Sequence, residues 1–158
     1  SRTRNMAAPP VSLRDDIPEN KTLAVKEQTK AIVAHGKQRH WREALRVLRG
    51  MPQRQLEPNV VTWSAAIGAC ACGAQWKHAC RLVGEMSQRL LDPNGITYST
   101  AISACGRGAQ WPEALRLLVQ MRREQVSPGV VAYSAAVSAC ERGAQWLGAL
   151  RLLAEMRW

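Results

Sequence analysis

The chain is short of acid. Twelve Asp and Glu stand against 22 Lys and Arg, a formal charge of +10 over 158 residues. That deficit favours a polyanionic partner, nucleic acid first and an anionic membrane surface second. Long apolar runs are also missing. None approaches the roughly 18–20 residues of a membrane span, so no membrane segment is expected. Five cysteines are an odd count, and no secretory signal accompanies them. A disulfide framework is therefore excluded, and reduced thiols are expected. Only three histidines occur, and no nucleophile, base and orienting partner stand out as a set. The one Gly-Arg-Gly stretch, Gly106 to Gly108, lacks the Lys-Ser/Thr ending of a phosphate loop. Catalysis is not expected, and no cofactor is called for.

What is present is repetition. Residues 1–24 mix Arg, Pro and Asp without periodicity and read as a disordered lead-in. Beyond them, "GAQW" occurs at Gly73–Trp76, Gly108–Trp111 and Gly143–Trp146, a period of 35 residues. Methionines at 51, 86, 121 and 156 and prolines at 58, 93 and 128 keep the same step. Four units follow, 25–59, 60–94, 95–129 and 130–158.

Each unit holds two helical patterns. Trp63, Ala66, Ile67 and Cys70 form an i, i+3, i+4, i+7 stripe, repeated by Tyr98 to Cys105 and Tyr133 to Cys140. The second pattern is Trp111, Ala114, Leu115, Leu118 and Met121, with counterparts from Trp41 and Trp146. Gly73, Gly108 and Gly143 are expected to end the first helices in a left-handed turn, and Pro112 to open a second helix. From Asn59 to Ala71, Pro93 to Gly106 and Pro128 to Cys140 the first helices carry no charged side chain, whereas the second carry an Arg column at 46, 81, 116 and 151. The expected fold is all-α: an α-solenoid of stacked antiparallel helix pairs, neutral helices inside the curve and charged ones outside. The Arg column is expected on the outer face or in ion pairs between repeats. Small residues such as Ser64, Gly68, Ser99, Ser103, Ser134 and Ser138 leave the inner face open to close approach.

"CACGAQWKHAC" places Cys70, Cys72, His78 and Cys80 within one short stretch, which invites a zinc reading. The spacing lacks the usual paired two-residue gaps. The repeat instead makes Cys70 and Cys80 core positions, so no metal is expected.

The strings "VTWSAAIGAC", "ITYSTAISAC" and "VAYSAAVSAC", each followed by a "GAQW" turn and an "EALRLL"-like helix, resemble the pentatricopeptide repeat family. The resemblance covers 25–158. It implies sequence-selective binding of single-stranded RNA, about one base per repeat, in RNA processing in a mitochondrion or chloroplast. It implies that bases are read by the residue after the first-helix aromatic together with the residue after the turn proline. These are Thr29 with Asn59 in unit one, Ser64 with Asn94 in unit two, Ser99 with Gly129 in unit three, and Ser134 in unit four. A hydroxyl with an asparagine resembles the adenine-preferring combination. Glycine at 129 leaves no side chain to reach a base.

The same resemblance assigns base-sandwiching to Val61, Ile96 and Val131, with Lys26 in their place in unit one. It assigns phosphate contacts to Lys37, Arg107 and Arg142, with Cys72 at that position in unit two. Unit one, with Lys26, Glu27 and Gln28 where later units are apolar or aromatic, fits a capping repeat. Other RNA-processing proteins are further expected partners. The alternative is a scaffold that binds an acidic peptide through the Arg column.

Overall fold

The computed structural model describes residues 19–155. Among these residues it contains eight α-helices and no strand. They are α1 (Glu19–Lys37), α2 (Trp41–Gly50), α3 (Val60–Cys72), α4 (Trp76–Gln88), α5 (Gly95–Arg107), α6 (Trp111–Arg123), α7 (Val130–Arg142) and α8 (Trp146–Glu155). Each of the four units is one antiparallel pair, as the period requires. No described helix is long and apolar enough to cross a membrane.

Two boundaries differ from expectation. Helix α1 begins at Glu19, inside the stretch read as a lead-in. Residues 19–24, "ENKTLA", lack an apolar stripe but are mostly good helix formers, with Glu19 complementing the positive N-terminal end. Residues 1–18 and Met156 lie outside the described residues. Helix α2 is shorter than α4 and α6 because Pro52, without an N–H, stands where they have Ser87 and Arg122. A 3-10 turn, Pro52–Arg54, follows instead.

The first helices form a continuous inner row: α1 packs on α3, α3 on α5 and α5 on α7. The second helices pack on first helices, their own and the next, and their backbones stay apart from one another. This unequal spacing follows from side-chain size. Where α1 meets α3, a Cβ on Gly36 would lie 3.0 Å from the Ala69 backbone. Where α5 meets α7, a Cβ on Gly106 would lie 3.3 Å from the Ala135 carbonyl oxygen. Glycine and alanine let these helices approach closely, while Leu, Val and Met hold the second helices off.

The core runs through all four units. Ile32, Trp63, Ala66, Ile67, Cys70, Tyr98, Ala101, Ile102 and Cys105 are buried from the first row, and Leu48, Met51, Leu82, Met86, Leu118 and Met121 from the second. Not every expected core residue is inside. Leu115 and Cys80 are half-buried, and Leu150 and Leu153 in α8 are exposed. The buried positions lie two residues after Cys80, Leu115 and Leu150, at Leu82, Leu117 and Leu152.

The turn glycines have a different cause from the expected one. Gly73, Gly108 and Gly143 have φ of −83°, −85° and −84°, which any residue tolerates. The left-handed residue is the alanine after each: Ala74 at 56°, Ala109 at 54° and Ala144 at 55°. Glycine is needed because the preceding repeat's tryptophan lies on its Cα. A Cβ on Gly73 would be 2.5 Å from Trp41 Cδ1, and one on Gly108 2.6 Å from Trp76 Cδ1. Gly143 meets Trp111 in the same way. These tryptophans are therefore half-buried seals between repeats, not central core.

Candidate nucleic-acid interface

The inner face carries a repeating arrangement. Val61, Ile96 and Val131, the second residues of α3, α5 and α7, are 66%, 71% and 66% exposed. Three large aliphatic side chains thus stand in water at one register, which is costly unless something covers them. Between two of them lies an open groove of about 710 Å³ whose walls include Ile96, Val131, Asn94, Ser99, Gly129 and Arg107. Residues assigned by resemblance to base-sandwiching, base-reading and phosphate contact thus converge on one groove.

The asparagines hold the helix starts. Asn59 caps α3, its Oδ1 accepting from Thr62 N at 3.0 Å. Asn94 caps α5 in the same way, accepting from Thr97 N at 2.9 Å. This fixes the amides, because a backbone N–H can only donate and must face the oxygen. Each Nδ2 is left for another partner. Gly129 occupies the cap position of α7 without a side-chain bond.

Hydroxyl groups extend these caps. Thr62 Oγ1 and Thr97 Oγ1 each lie 3.0 Å from the Oδ1 of Asn59 and Asn94. Thr97 Oγ1 is also 2.7 Å from Ser64 Oγ, and Thr62 Oγ1 is 2.9 Å from Thr29 Oγ1. The two candidate base-readers of a unit are therefore joined through a threonine from the next unit. Both threonines are fully buried. The sequence singled out neither, since each reads as one more helix residue. A signal was present: unit three lacks its asparagine at Gly129 and its threonine at Ala132 together. There Ser99 Oγ donates to the Gly95 carbonyl at 2.7 Å instead. Ser134 is exposed on α7.

Lys37, Arg107 and Arg142 are exposed at the ends of α1, α5 and α7. Two of them also tie repeats together. Arg107 Nη1 donates to the Ala71 carbonyl at 2.9 Å, and Arg142 Nη1 to the Gly106 carbonyl at 3.3 Å. Each adds a second donor to a carbonyl at the end of the preceding first helix, which already accepts from the N–H of Ala74 or Ala109. A guanidinium has further N–H groups for a phosphate.

The cysteine stretch does not converge. Cys70 is buried in the core, and burial pushes its thiol up to about 12. Cys80 Sγ lies 3.5 Å from Cys105 Sγ, and that contact together with burial raises the Cys105 thiol. Cys72 is exposed. His78 rests against Trp41, ring centroids 4.7 Å apart, and burial with Arg81, Arg49 and Arg42 nearby lowers its pKa. Among the described residues, no three His, Cys, Asp or Glu side chains form a metal cradle.

On the outer face, the expected ion pairs between repeats are instead pairs within a helix. Arg46 meets Glu43 at 2.9 Å and Arg116 meets Glu113 at 2.5 Å. At the position of those glutamates, Arg81 has His78 and Arg151 has Gly148. An ion pair between units does occur elsewhere, Arg122 to Glu155 at 2.8 Å.

Comparison with known proteins agrees with this architecture. The chain is similar to the maize pentatricopeptide repeat protein PPR10, solved in complex with an 18-nt psaJ RNA element. Identity in that complex is 26% and the TM-score 0.76, over 84% of this chain and 19% of PPR10. The chain thus spans about one fifth of that relative. A further structure of PPR10 from maize matches at 21% identity and a TM-score of 0.70, over 82% of this chain and 18% of PPR10. The repeat domain of Arabidopsis thaliana protein-only RNase P 1, solved with tRNA, shares the fold. Its identity is 15% and its TM-score 0.64, over 74% of this chain and 61% of that domain. Curated protein sequences give no match. The family model for the pentatricopeptide repeat domain matches residues 25–73, 46–108 and 81–142. With four helix pairs at a 35-residue step and that model spanning most of its length, the chain belongs to the pentatricopeptide repeat family.

Proposed function

We propose that these repeats bind single-stranded RNA in a sequence-selective way along the row of first helices. The carrying observation is the register of Val61, Ile96 and Val131, exposed beside polar pairs at the same spacing. A base is flat and apolar on both faces and polar at its edge. It fits between two aliphatic side chains with its edge toward a hydroxyl and an amide. Thr29 with Asn59 and Ser64 with Asn94 are the reading pairs, with adenine the expected base for each. Ser99 with Gly129, and Ser134, offer weaker discrimination. Lys37, Arg107 and Arg142 lie where phosphates would pass.

PPR10 in its RNA complex supports the partner class. The family also supports a role in organellar RNA processing, in a mitochondrion or chloroplast, alongside other processing proteins. The reading is of a binder, with catalysis left to those partners. The acidic-peptide alternative draws less support, since Glu43 and Glu113 already neutralise two arginines of the outer column.

Selection from a random single-stranded RNA pool tests the proposal. The expected result is an enriched short motif with two A-preferring positions. Ser64→Asn with Asn94→Asp should change one of them. Failure of any motif to enrich, with no effect of the double substitution, would overturn base reading.

A further inference from the structure

We propose that Thr62 and Thr97 are positioning residues that set the hydrogen-bond polarity of the base-reading pairs, strongly in unit two and weakly in unit one. The inference rests on the RNA-binding reading above and deepens it. It follows from counting hydrogens. In unit two, Asn94 Oδ1 and Thr97 Oγ1 are 3.0 Å apart, and the amide oxygen can only accept. The hydrogen between them must belong to Thr97. Thr97 Oγ1 must then accept in its 2.7 Å contact with Ser64 Oγ, so the Ser64 hydrogen is spent there. Two hydrogens serve two contacts. Ser64 Oγ faces a ligand as an acceptor only, and Asn94 Nδ2 as a donor only.

Unit one is one hydrogen short. Thr29 Oγ1 lies 2.8 Å from the Val25 carbonyl as well as 2.9 Å from Thr62 Oγ1, and Thr62 lies 3.0 Å from Asn59 Oδ1. Two hydroxyl hydrogens must serve three contacts, two of them to obligate acceptors. The Thr29 hydrogen goes to the Val25 carbonyl or to Thr62, so Thr62 is only one of two groups that hold it. In unit three neither Ala132 nor Gly129 can take part, and the Ser99 hydrogen goes to its own helix. Dependence of the reading pair on the neighbouring threonine should fall in the order unit two, unit one, unit three.

The consequence is chemical. A fixed acceptor beside a fixed donor matches one ordering of amino group and ring nitrogen on a base edge and repels the reverse ordering. A hydroxyl free to rotate accepts both. Fixing the hydroxyl therefore sharpens the choice between amino and keto bases of the same size, adenine against guanine or cytosine against uracil.

Thr97→Val removes the hydroxyl, keeps the shape and leaves the backbone N–H that Asn94 caps. Wild-type, Thr97→Val and Thr97→Ser proteins are compared by selection from a random single-stranded RNA pool. The nucleotide read by unit two is the one whose preference is lost in Ser64→Ala. Thr97→Val should lower the amino-against-keto preference there by about tenfold. Preferences at other nucleotides, the salt slope and the melting temperature should hold, and Thr97→Ser should restore the choice. If wild type enriches a motif and Thr97→Val keeps the full preference at that nucleotide, or Thr97→Ser fails to restore it, the positioning role is wrong. If wild type enriches no motif, the RNA reading itself fails.

Discussion

Trp76 and Gly108 belong to different repeats, yet each explains the other. The indole lies where a Cβ on Gly108 would be, 2.6 Å from its Cδ1. The left-handed residue is Ala109, at φ 54°. Gly108→Ala should therefore destabilise the protein by about 1–3 kcal/mol through overpacking. Ala109→Gly should leave it as stable or stabilise it by up to about 1 kcal/mol, since glycine carries no left-handed penalty. Urea denaturation of both variants checks the pair, and the opposite order would restore the turn-glycine explanation. The sequence located these glycines but not their cause. A turn signal is local, whereas the tryptophan that demands it lies 32 positions earlier (108 − 76).

A second residue-scale outcome concerns pH. Burial holds the Cys70 thiol near 12 against an ordinary 9.0. The folded pKa is raised, so the stabilisation is whole below about 9.0 and is lost as pH climbs toward 12. The unfolding free energy should fall over that window, by at most about 1.4 kcal/mol per pH unit for this thiol. In Cys70→Ala the fall should be shallower. An identical slope in both proteins would show that Cys70 does not titrate as placed.

At the scale of the element, α3 and α5 are each capped by an asparagine asked to do two jobs. Asn94 caps α5 through its oxygen and offers its nitrogen to a base. The jobs separate by substitution. Asn94→Ala should cost about 1 kcal/mol of stability and weaken base preference. Asn94→Asp keeps an acceptor for the cap, so stability should hold while the base preferred at that position changes. Thermal melts beside RNA selection measure both, and loss of stability without change of preference would leave only the cap.

Periodicity made the helices legible because 3.6-residue stripes and a 35-residue step are properties of one strand of sequence. Val61, Ile96 and Val131 are singled out by the resemblance to the pentatricopeptide repeat family and not by the periodicity. What was not legible crosses between units: the tryptophan seal, the Arg107 tie to the Ala71 carbonyl, and the threonine links from Thr62 and Thr97. The start of α1 was missed for a different reason. Residues 19–24 have helix propensity but no apolar stripe, and the stripe was the signal being read.

The described molecule is a row of closely packed first helices, neutral along most of α3, α5 and α7, backed by charged, wider-spaced second helices. That asymmetry places small and aliphatic residues on one side and solvated ion pairs on the other. Three cations, Lys37, Arg107 and Arg142, lie along the first row, so RNA affinity should fall with salt at a log–log slope of about −2 for a single strand. A much steeper slope would mean that the outer arginines also meet phosphate.

The most direct test compares the two faces. Single-stranded RNA of the selected sequence is titrated by fluorescence anisotropy against wild-type, Ile96→Ser and Arg116→Ser proteins. Both substitutions replace exposed side chains. The account predicts that Ile96→Ser weakens binding about five- to tenfold, through loss of one base-covering side chain. It predicts that Arg116→Ser changes it by less than about twofold, since that arginine is paired with Glu113 on the opposite face. The reverse result, binding lost with Arg116 and kept without Ile96, would contradict RNA recognition by the first-helix row.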